Sequence, residues 1–320
     1  MMDSESWYNY FIDTLYEKFP KKSKLIEELM GLLYIEREAV YRRLRKDVMF
    51  SIGEVMKISS AWNISLDKIT GVNTGQIHFL MHTINYIEPS EQDINFLRLI
   101  IKSINGLQKF SDTEFMDICN KLPRQLLAGY AYLNKFYLFK WMYQYGPENN
   151  TPFSQIVVSD EMLQLTAEYY QAIKNVPNTN FIFDHALFEY LVCDIRYFHS
   201  IRMITNEEKE LIKNELYDLL EYLLDIATKG YYPETTNKVN LYISHINVDT
   251  NYSYTYTHDA KISFVHVFDK YEIYTLDRKM VENFKTWMQL KKRTSTQISE
   301  VDEKNRFDFF MKQRLLIDEL

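Results

Sequence analysis

The chain has only two cysteines among its 320 residues, Cys119 and Cys193, and both lie in apolar stretches typical of helices. A disulfide framework needs several paired cysteines, so we exclude one and expect both thiols to be reduced. No stretch approaches the roughly 18 apolar residues of a membrane span, and the N-terminus has no basic segment leading into an apolar one. These absences predict a cytoplasmic protein without membrane contact.

Several enzyme signatures are missing as well. No glycine-rich phosphate loop, nucleophile elbow or Cys–His pair occurs at a recognisable spacing. Some histidines and acids lie close enough in sequence to be weighed as zinc ligands: His78, His82, His245, Asp249, His258, Asp259 and His266. Their spacing is not that of a zinc motif. We therefore predict a protein that is not an enzyme and that needs no metal or cofactor.

Charge is unevenly distributed along the chain. The net charge is −7, yet the segment from Lys18 to Lys46 holds nine Lys and Arg residues against four Glu residues. Because Lys and Arg supply most of a protein's non-specific affinity for DNA phosphates, this segment is the candidate DNA-binding region. The acidic remainder would repel DNA and restrict contact to one face.

The segment from Lys24 to Gly71 organises the chain. Leu25, Ile26 and Leu29 recur at helical spacing, which predicts an apolar helix face. A turn and a second helix, Glu36 to Arg45, follow. If Val40 and Leu44 of that helix point inward, the rotation of about 100° per residue places Glu38, Arg42 and Arg45 on the solvated face, with Tyr41 beside them. Guanidinium groups on such a face can bind guanine edges and phosphates in a major groove.

These residues resemble the Cro/C1 repressor-type helix-turn-helix family, in which five helices pack together and the third lies in the major groove. The most specific part is the order of recognition helix, loop, fourth helix and the start of a fifth, which in this chain is formed by Ile64, Ser65, Leu66 and Asp67. Ser51 and Glu54 also form a capping box, which predicts the start of the fourth helix. The resemblance covers about the first 70 residues.

The resemblance implies a role for individual residues. Arg37, Glu38 and Arg42 fall where the family makes base-edge contacts, and Arg45 and Lys46 where it contacts phosphates. With Tyr41, these residues form the predicted DNA-binding set.

Two positions depart from the family pattern. Tyr34 occupies the turn position that is usually glycine, and Met30 replaces a small residue in the second helix. A non-glycine residue at positive φ costs on the order of 1 kcal/mol, and the larger Met30 requires the helices to repack.

The rest of the chain is predicted to be mainly helical. The pattern predicts helices almost throughout residues 89–230, including one opened by Ser111 and Glu114, and capping boxes at Ser90 and Thr205. Residues 238–276 alternate as strands do. The predicted fold is therefore mainly α: a five-helix domain at 1–72, a connecting helix within 73–88, and a helical region at 89–320 that ends in a small antiparallel β-sheet flanked by helices.

These features favour a transcriptional regulator that binds double-stranded DNA as a homodimer, because two such modules related by a two-fold axis read a palindrome. The C-terminal region would dimerise, bind a small-molecule or protein effector, or recruit a partner. The alternative is a protein-interaction adaptor whose helical region is the functional part, and an enzyme with a regulatory domain is a more distant one. Tyr252, Tyr254 and Tyr256 could line a ligand pocket, although an alternating ladder is more typical of a hairpin face that packs on helices.

Overall fold

The computed structural model describes residues 4–62, 64–66, 77–145, 150–257, 261–268 and 271–320. The chain divides into two compact units, Met1–Gln76 and Ile77–Leu320. The predicted end of the first domain at residue 72 lies outside the described residues, as do Asp67 at the start of the predicted fifth helix, His258 and Asp259.

The described part of the first unit is helical. Its helices are α1 (Ser4–Lys18), α2 (Lys22–Leu33), α3 (Arg37–Leu44) and α4 (Ile52–Trp62). They enclose a core that includes Phe11, Leu15, Leu29, Val40 and Ile58, all almost completely buried. The larger side chain of Met30 is accommodated, since it packs partly buried against this core.

The turn between α2 and α3 is left-handed at Tyr34, with φ 56° and ψ 44°. The backbone N–H of Tyr34 donates to the carbonyl oxygen of Met30 at 2.9 Å, which closes the helix. The prediction of a non-glycine residue at positive φ is confirmed. The backbone conformation of Tyr34 costs free energy, and burial of its ring does not offset that cost, because the residue is 89% exposed.

The second unit combines helices with an eight-stranded sheet. Its helices are α5 (Glu91–Leu107), α6 (Arg124–Leu127), α7 (Ala131–Tyr145), α8 (Asp160–Lys174), α9 (Glu189–Ser200), α10 (Asn206–Lys229), α11 (Arg278–Lys291) and α12 (Glu303–Asp318). Its strands are β1 (Leu80–Met81), β2 (Glu114–Cys119), β3 (Asn178–Phe183), β4 (Lys238–Ser244), β5 (Tyr252–Tyr256), β6 (Lys261–Val267), β7 (Tyr271–Thr275) and β8 (Ser295–Gln297). The capping boxes predicted at Ser90 and Thr205 are confirmed at the starts of α5 and α10.

The strand order is β1-β7-β6-β5-β2-β3-β4-β8. The neighbours β2, β3 and β4 run parallel and are joined by helical connections, while every other pairing is antiparallel. A parallel core with helical crossovers is the mark of an α/β fold, with an antiparallel meander of β5, β6 and β7 added on one side.

This architecture corrects the predicted fold class. The protein is not mainly α with a small antiparallel sheet, because β2 and β3 replace parts of the predicted helices. The sequence pattern predicts that Glu114–Cys119 continues a helix from Ser111 and that Phe183 begins one. Both strands are instead short runs in which every residue after the first is buried, so neither shows the alternation of a half-buried strand, and periodicity cannot distinguish them from a buried helix segment.

The predicted connecting helix at 73–88 is also wrong over its described part. Leu80 and Met81 instead pair with β7 at the edge of the sheet. Farther along, the side chain of Asn85 accepts hydrogen bonds from the backbone N–H groups of Ile87 and Glu88, both at 3.1 Å. Such local side-chain bonds compete with helix formation.

The two faces of the sheet bury different side chains. Phe115 and Cys119 of β2 belong to the large core formed with the helices, whereas Met116 and Ile118 face the opposite way. Tyr254 packs with them against Met288 of α11. The tyrosine ladder therefore serves as a hairpin face packed on a helix, while Ser253 and Thr255, which alternate with it, face the other side.

Candidate functional sites

The first candidate site is the exposed face of α3. Val40 and Leu44 are buried, and the predicted residues on the opposite face meet solvent. The predicted DNA-binding set is exposed except for Tyr41, which is half-buried: Arg37, Glu38, Tyr41, Arg42, Arg45 and Lys46. The predicted inward and outward faces of this helix are confirmed, and the chemistry of the outward face decides what it can bind.

The cations of this face are not equally available. Nη2 of Arg45 lies 2.9 Å from Oε1 of Glu38, and its Nε lies 3.8 Å from Oδ2 of Asp47. Within the described residues of the first unit, the guanidinium groups of Arg37 and Arg42 have no ion-pair partner. Arg37 and Arg42 can therefore take up an acceptor at once, whereas Arg45 must share or release its carboxylate partners.

Arg43, which belongs to the same basic run of the sequence, has a different position. Its Nη2 and Nε donate to the carboxylate of Glu54 at 2.8 and 3.2 Å, and both side chains are less than 20% exposed. Glu54 also accepts from the backbone N–H of Ser51 at 2.7 Å, while Ser51 Oγ accepts from the N–H of Glu54 at 3.3 Å. The predicted capping box is thus confirmed, and it ties the end of α3 to the start of α4.

The same carboxylate has a shifted pKa. Burial raises the pKa of Glu54, but hydrogen bonds from Arg43 and Ser51 lower it by more, so the pKa lies below its ordinary value. Glu54 is therefore ionised throughout the neutral range, and Arg43 stabilises the unit rather than offering a charge to a ligand.

Tyr8 fixes the loop that follows α3. Its hydroxyl donates to the carbonyl oxygen of Arg43 at 3.1 Å and accepts from the backbone N–H of Phe50 at 3.0 Å. Tyr8 is 1% exposed, so these bonds satisfy backbone groups that water does not reach. The position of the α3 face is thus set from the core side by a buried tyrosine and a salt bridge.

The second candidate site is a cavity of about 440 Å³ in the second unit. Helices α5 to α9 supply one side of its lining, and the β2, β5, β6 and β7 part of the sheet supplies the other. Most of the sheet residues belong to one face, including Phe115, Asp117, Ser253 and Phe264. Most of the wall is aliphatic or aromatic, with a few polar groups between, as in many small-molecule sites.

Arg124, at the start of α6, is the central polar group of this cavity. Its guanidinium carbon lies 3.5 Å from the ring centroid of Tyr86, and its Nη2 lies 3.4 Å from Oγ1 of Thr166. Its Nε is buried and has no hydrogen-bond partner among the described residues. A buried donor without an acceptor is costly, so this atom marks a position for an absent acceptor.

Besides Asp194, which pairs with Lys140, two carboxyl groups face the same space. Burial raises the pKa of Asp117 to about 8, although hydrogen bonds from Cys119 and Gln125 favour its charged form. At neutral pH Asp117 is therefore largely protonated. Glu272 is exposed to solvent inside the cavity. Desolvation by the surrounding protein raises its pKa by more than the charge of Arg124 lowers it, so the pKa lies above its ordinary value.

Sequence reasoning does not single out these cavity residues. Arg124 and Asp117 occur alone in apolar segments, and only the pairing of β2 with β5 places Asp117 opposite Ser253. One signal in the sequence is the acidic residue inside the run EFMDIC, since an acidic side chain in a buried strand is rare.

The histidines weighed as metal ligands have other surroundings. His82 stacks on Phe96 with ring centroids 3.9 Å apart, and Nε2 of His245 lies 2.8 Å from Oγ1 of Thr296. His266 lines the cavity opposite Glu272 in the β6–β7 pairing. In the part of the chain that the structure describes, no three His, Cys, Asp or Glu side chains are grouped as metal ligands would be.

Comparisons with known proteins returned nothing similar: no family model, curated protein or solved structure matches this chain. Among the described helices, none combines the length and the apolar character that crossing a bilayer requires. The two sites themselves therefore carry the functional inference.

Proposed function

We propose that the protein is a cytoplasmic transcriptional regulator that binds double-stranded DNA with α3 in the major groove. The observation that carries this proposal is the helix-turn-helix formed by α2, the left-handed turn at Tyr34 and α3. It holds Arg37 and Arg42 outward over the buried Val40 and Leu44.

The chemistry of the face supports a DNA ligand. Arg37 and Arg42 carry guanidinium forks without an ion-pair partner among the described residues of this unit, and such forks suit the O6 and N7 acceptors of guanine. Lys46 and Arg45 follow at the end of the helix, where they can contact phosphates. Glu38 can accept from the exocyclic amine of cytosine once Arg45 turns to a phosphate, so the Glu38–Arg45 pair would be exchanged for two DNA contacts.

The unit would act as a two-fold dimer. One eight-residue helix reads only a few base pairs, and a palindrome about one turn of DNA in spacing doubles the number of contacts. The second unit would supply the dimer contact or the response to an effector. The alternative, a protein-interaction adaptor, would require that α3 does not bind DNA.

Fluorescence anisotropy of the purified full chain tests the proposal. The DNA is the region upstream of its own gene, with a shuffled duplex of equal length as the comparison. We expect Arg42→Ala with Arg45→Ala to weaken binding at least about tenfold, since each lost base or phosphate contact costs about 1 kcal/mol or more.

The matched control removes two exposed arginines of the second unit, Arg98→Ala with Arg196→Ala. Both are more than half exposed and paired with single glutamates. This variant changes the net charge equally and should bind DNA as the wild type does. If both double variants bind alike, or if the shuffled duplex binds as tightly as the upstream DNA, sequence-specific recognition by α3 is wrong.

A further inference from the structure

We propose that the cavity of the second unit is the binding site of a small organic carboxylate with an apolar body, and that Arg124 binds its carboxylate group. This proposal concerns the second unit alone and holds whether or not α3 binds DNA.

The geometry of Arg124 specifies the acceptor. The stack on Tyr86 fixes the plane of the guanidinium group, and the long contact with Thr166 leaves Nη2 weakly occupied. Nε, on the same edge of the group, is buried without a partner among the described residues. Two neighbouring N–H donors on one planar edge match the two oxygens of a carboxylate, which binds arginine in this side-on manner.

The charge of the lining favours an anion. The lysine, arginine, aspartate and glutamate residues of its lining are Lys121, Arg124, Lys140, Asp117, Asp194 and Glu272. Lys140 and Asp194 form an ion pair with each other, and Asp117 is largely neutral at pH 7 because burial raises its pKa to about 8. Burial also raises the pKa of Glu272, which reduces the repulsion that a second carboxylate meets at Arg124, so the partly buried guanidinium group favours an anionic ligand.

The walls specify the rest of the ligand. Leu97, Ile104, Phe115, Leu165 and Phe264 face the cavity, and filling it with water alone would leave these apolar surfaces hydrated. Its volume of about 440 Å³ lies within the usual range of about 300–1,000 Å³ for small-molecule sites. Inorganic anions are too small to cover such walls, so the apolar body contributes binding that phosphate or sulfate cannot.

Isothermal titration calorimetry on the full chain tests this assignment with three probes: octanoate, 2-naphthoate and indole-3-propionate. Each is compared with its neutral primary amide, which keeps the apolar body and removes the charge. We expect at least one carboxylate to bind saturably with a 1:1 stoichiometry, and its amide to bind at least tenfold more weakly. This comparison uses only wild-type protein, so it does not depend on the folding of a variant.

Two variants locate the site. Arg124→Gln should weaken the best carboxylate at least tenfold and leave its amide unchanged, whereas Arg98→Gln should change neither. Arg98 also lies on the second unit, in α5, but its Nη2 pairs with Glu161 at 2.7 Å on the exposed side. Ser253→Phe, which adds a ring to the sheet side of the cavity, should abolish binding of carboxylate and amide together.

Several results would overturn the proposal. It is wrong if none of the three carboxylates binds, if the amides bind as tightly as the acids, or if inorganic phosphate at equal concentration displaces the best probe. It is also wrong if Arg124→Gln and Arg98→Gln, shown by circular dichroism to be folded, bind the best probe equally. Each outcome is independent of DNA binding, which is measured by anisotropy on the same preparations.

Discussion

In the first unit Arg37 and Arg42 are exposed to solvent on one face of α3, whereas in the second unit Arg124 lies in a cavity and its Nε is buried. A hydrated guanidinium group loses nothing by remaining unpaired, because water satisfies its donors. A buried donor has no such substitute and carries a free-energy penalty until an acceptor arrives.

The two surroundings suit different anions. Exposed cations act over a distance set by the salt concentration and gain most from an extended polyanion that many of them can contact at once. An enclosed cation selects a single small anion by the shape of the surrounding walls. The two proposals thus give the molecule one open and one closed anion site, and salt, pH and substitution should affect the two units differently.

The largest expected effect is a difference in salt sensitivity. If Arg45 and Lys46 of two protomers contact phosphates, raising the salt from about 50 to 200 mM should weaken DNA binding roughly hundredfold, since each contact releases a counterion. The same change should weaken the best carboxylate by less than about threefold, because the cavity excludes most of the screening ions. Anisotropy and calorimetry in matched buffers measure the two slopes. Equal slopes would remove the distinction between an open and a closed site.

The second prediction concerns pH and compares one carboxyl group from each unit, Asp117 and Glu54, whose pKa values are shifted in opposite directions. Burial raises the pKa of Asp117 to about 8, so the folded second unit holds a proton that the unfolded chain releases above about pH 4. Its contribution to stability therefore falls as the pH rises from about 4 to 8. At pH 7 we expect Asp117→Asn to raise the free energy of unfolding of the second unit by about 2 kcal/mol. This is less than the free energy that corresponds to the whole pKa shift, because the substitution also changes the hydrogen bonds from Cys119 and Gln125.

Glu54 should behave in the opposite way. Burial raises its pKa, but the bonds from Arg43 and Ser51 lower it by more, so its contribution is present above the pKa of the unfolded state and is lost as the pH falls. Glu54→Gln should cost the first unit about 1–2 kcal/mol at pH 7 and progressively less near pH 4.

Hydrogen–deuterium exchange of the full chain reports the stability of both units in one experiment, after correction for intrinsic exchange rates at each pH. The controls are Asp160→Asn and Glu161→Gln at exposed positions of α8. Both should leave the pH dependence of the stability of each unit unchanged. The contrast fails if both variants shift stability in the same direction with pH.

The architecture of the first unit follows from local signals. Leu25, Ile26 and Leu29 repeat at helical spacing, and the Ser51–Glu54 capping box needs residues only three positions apart. Even the strained turn could be located, because the helices on both sides left Tyr34 as the residue between them. Such features depend on neighbours in sequence, and those are visible without a structure.

The second unit depends on distant neighbours. The strands β2 and β3 are separated by more than fifty residues, and nothing in the sequence of either strand shows that the other will lie beside it. The same holds for the cavity: Arg124 meets Tyr86 and Thr166, which lie 38 and 42 positions away along the chain. Periodicity predicts the antiparallel meander at β5 to β7, where alternation is local, and misses the parallel core and the site that it supports.

The smallest expected effect concerns how the two units end a helix. Helix α10 ends at Gly230 with φ 76°, where a Cβ would come within 2.5 Å of the Glu300 side chain. Helix α2 ends in the same left-handed conformation at Tyr34, without the freedom of glycine. Tyr34→Gly should therefore raise the free energy of unfolding of the first unit by about 0.5–1 kcal/mol, after allowing for the greater entropy of glycine in the unfolded chain.

Tyr34→Ala is the matched control, since it removes the same exposed ring but keeps the Cβ that opposes the left-handed conformation. Exchange rates of α2 and α3 in the full chain should slow for the glycine variant and stay at the wild-type value for the alanine variant. An equal gain in both variants would assign the cost to the exposed ring, and Tyr34 and Gly230 would then differ in packing rather than in backbone strain.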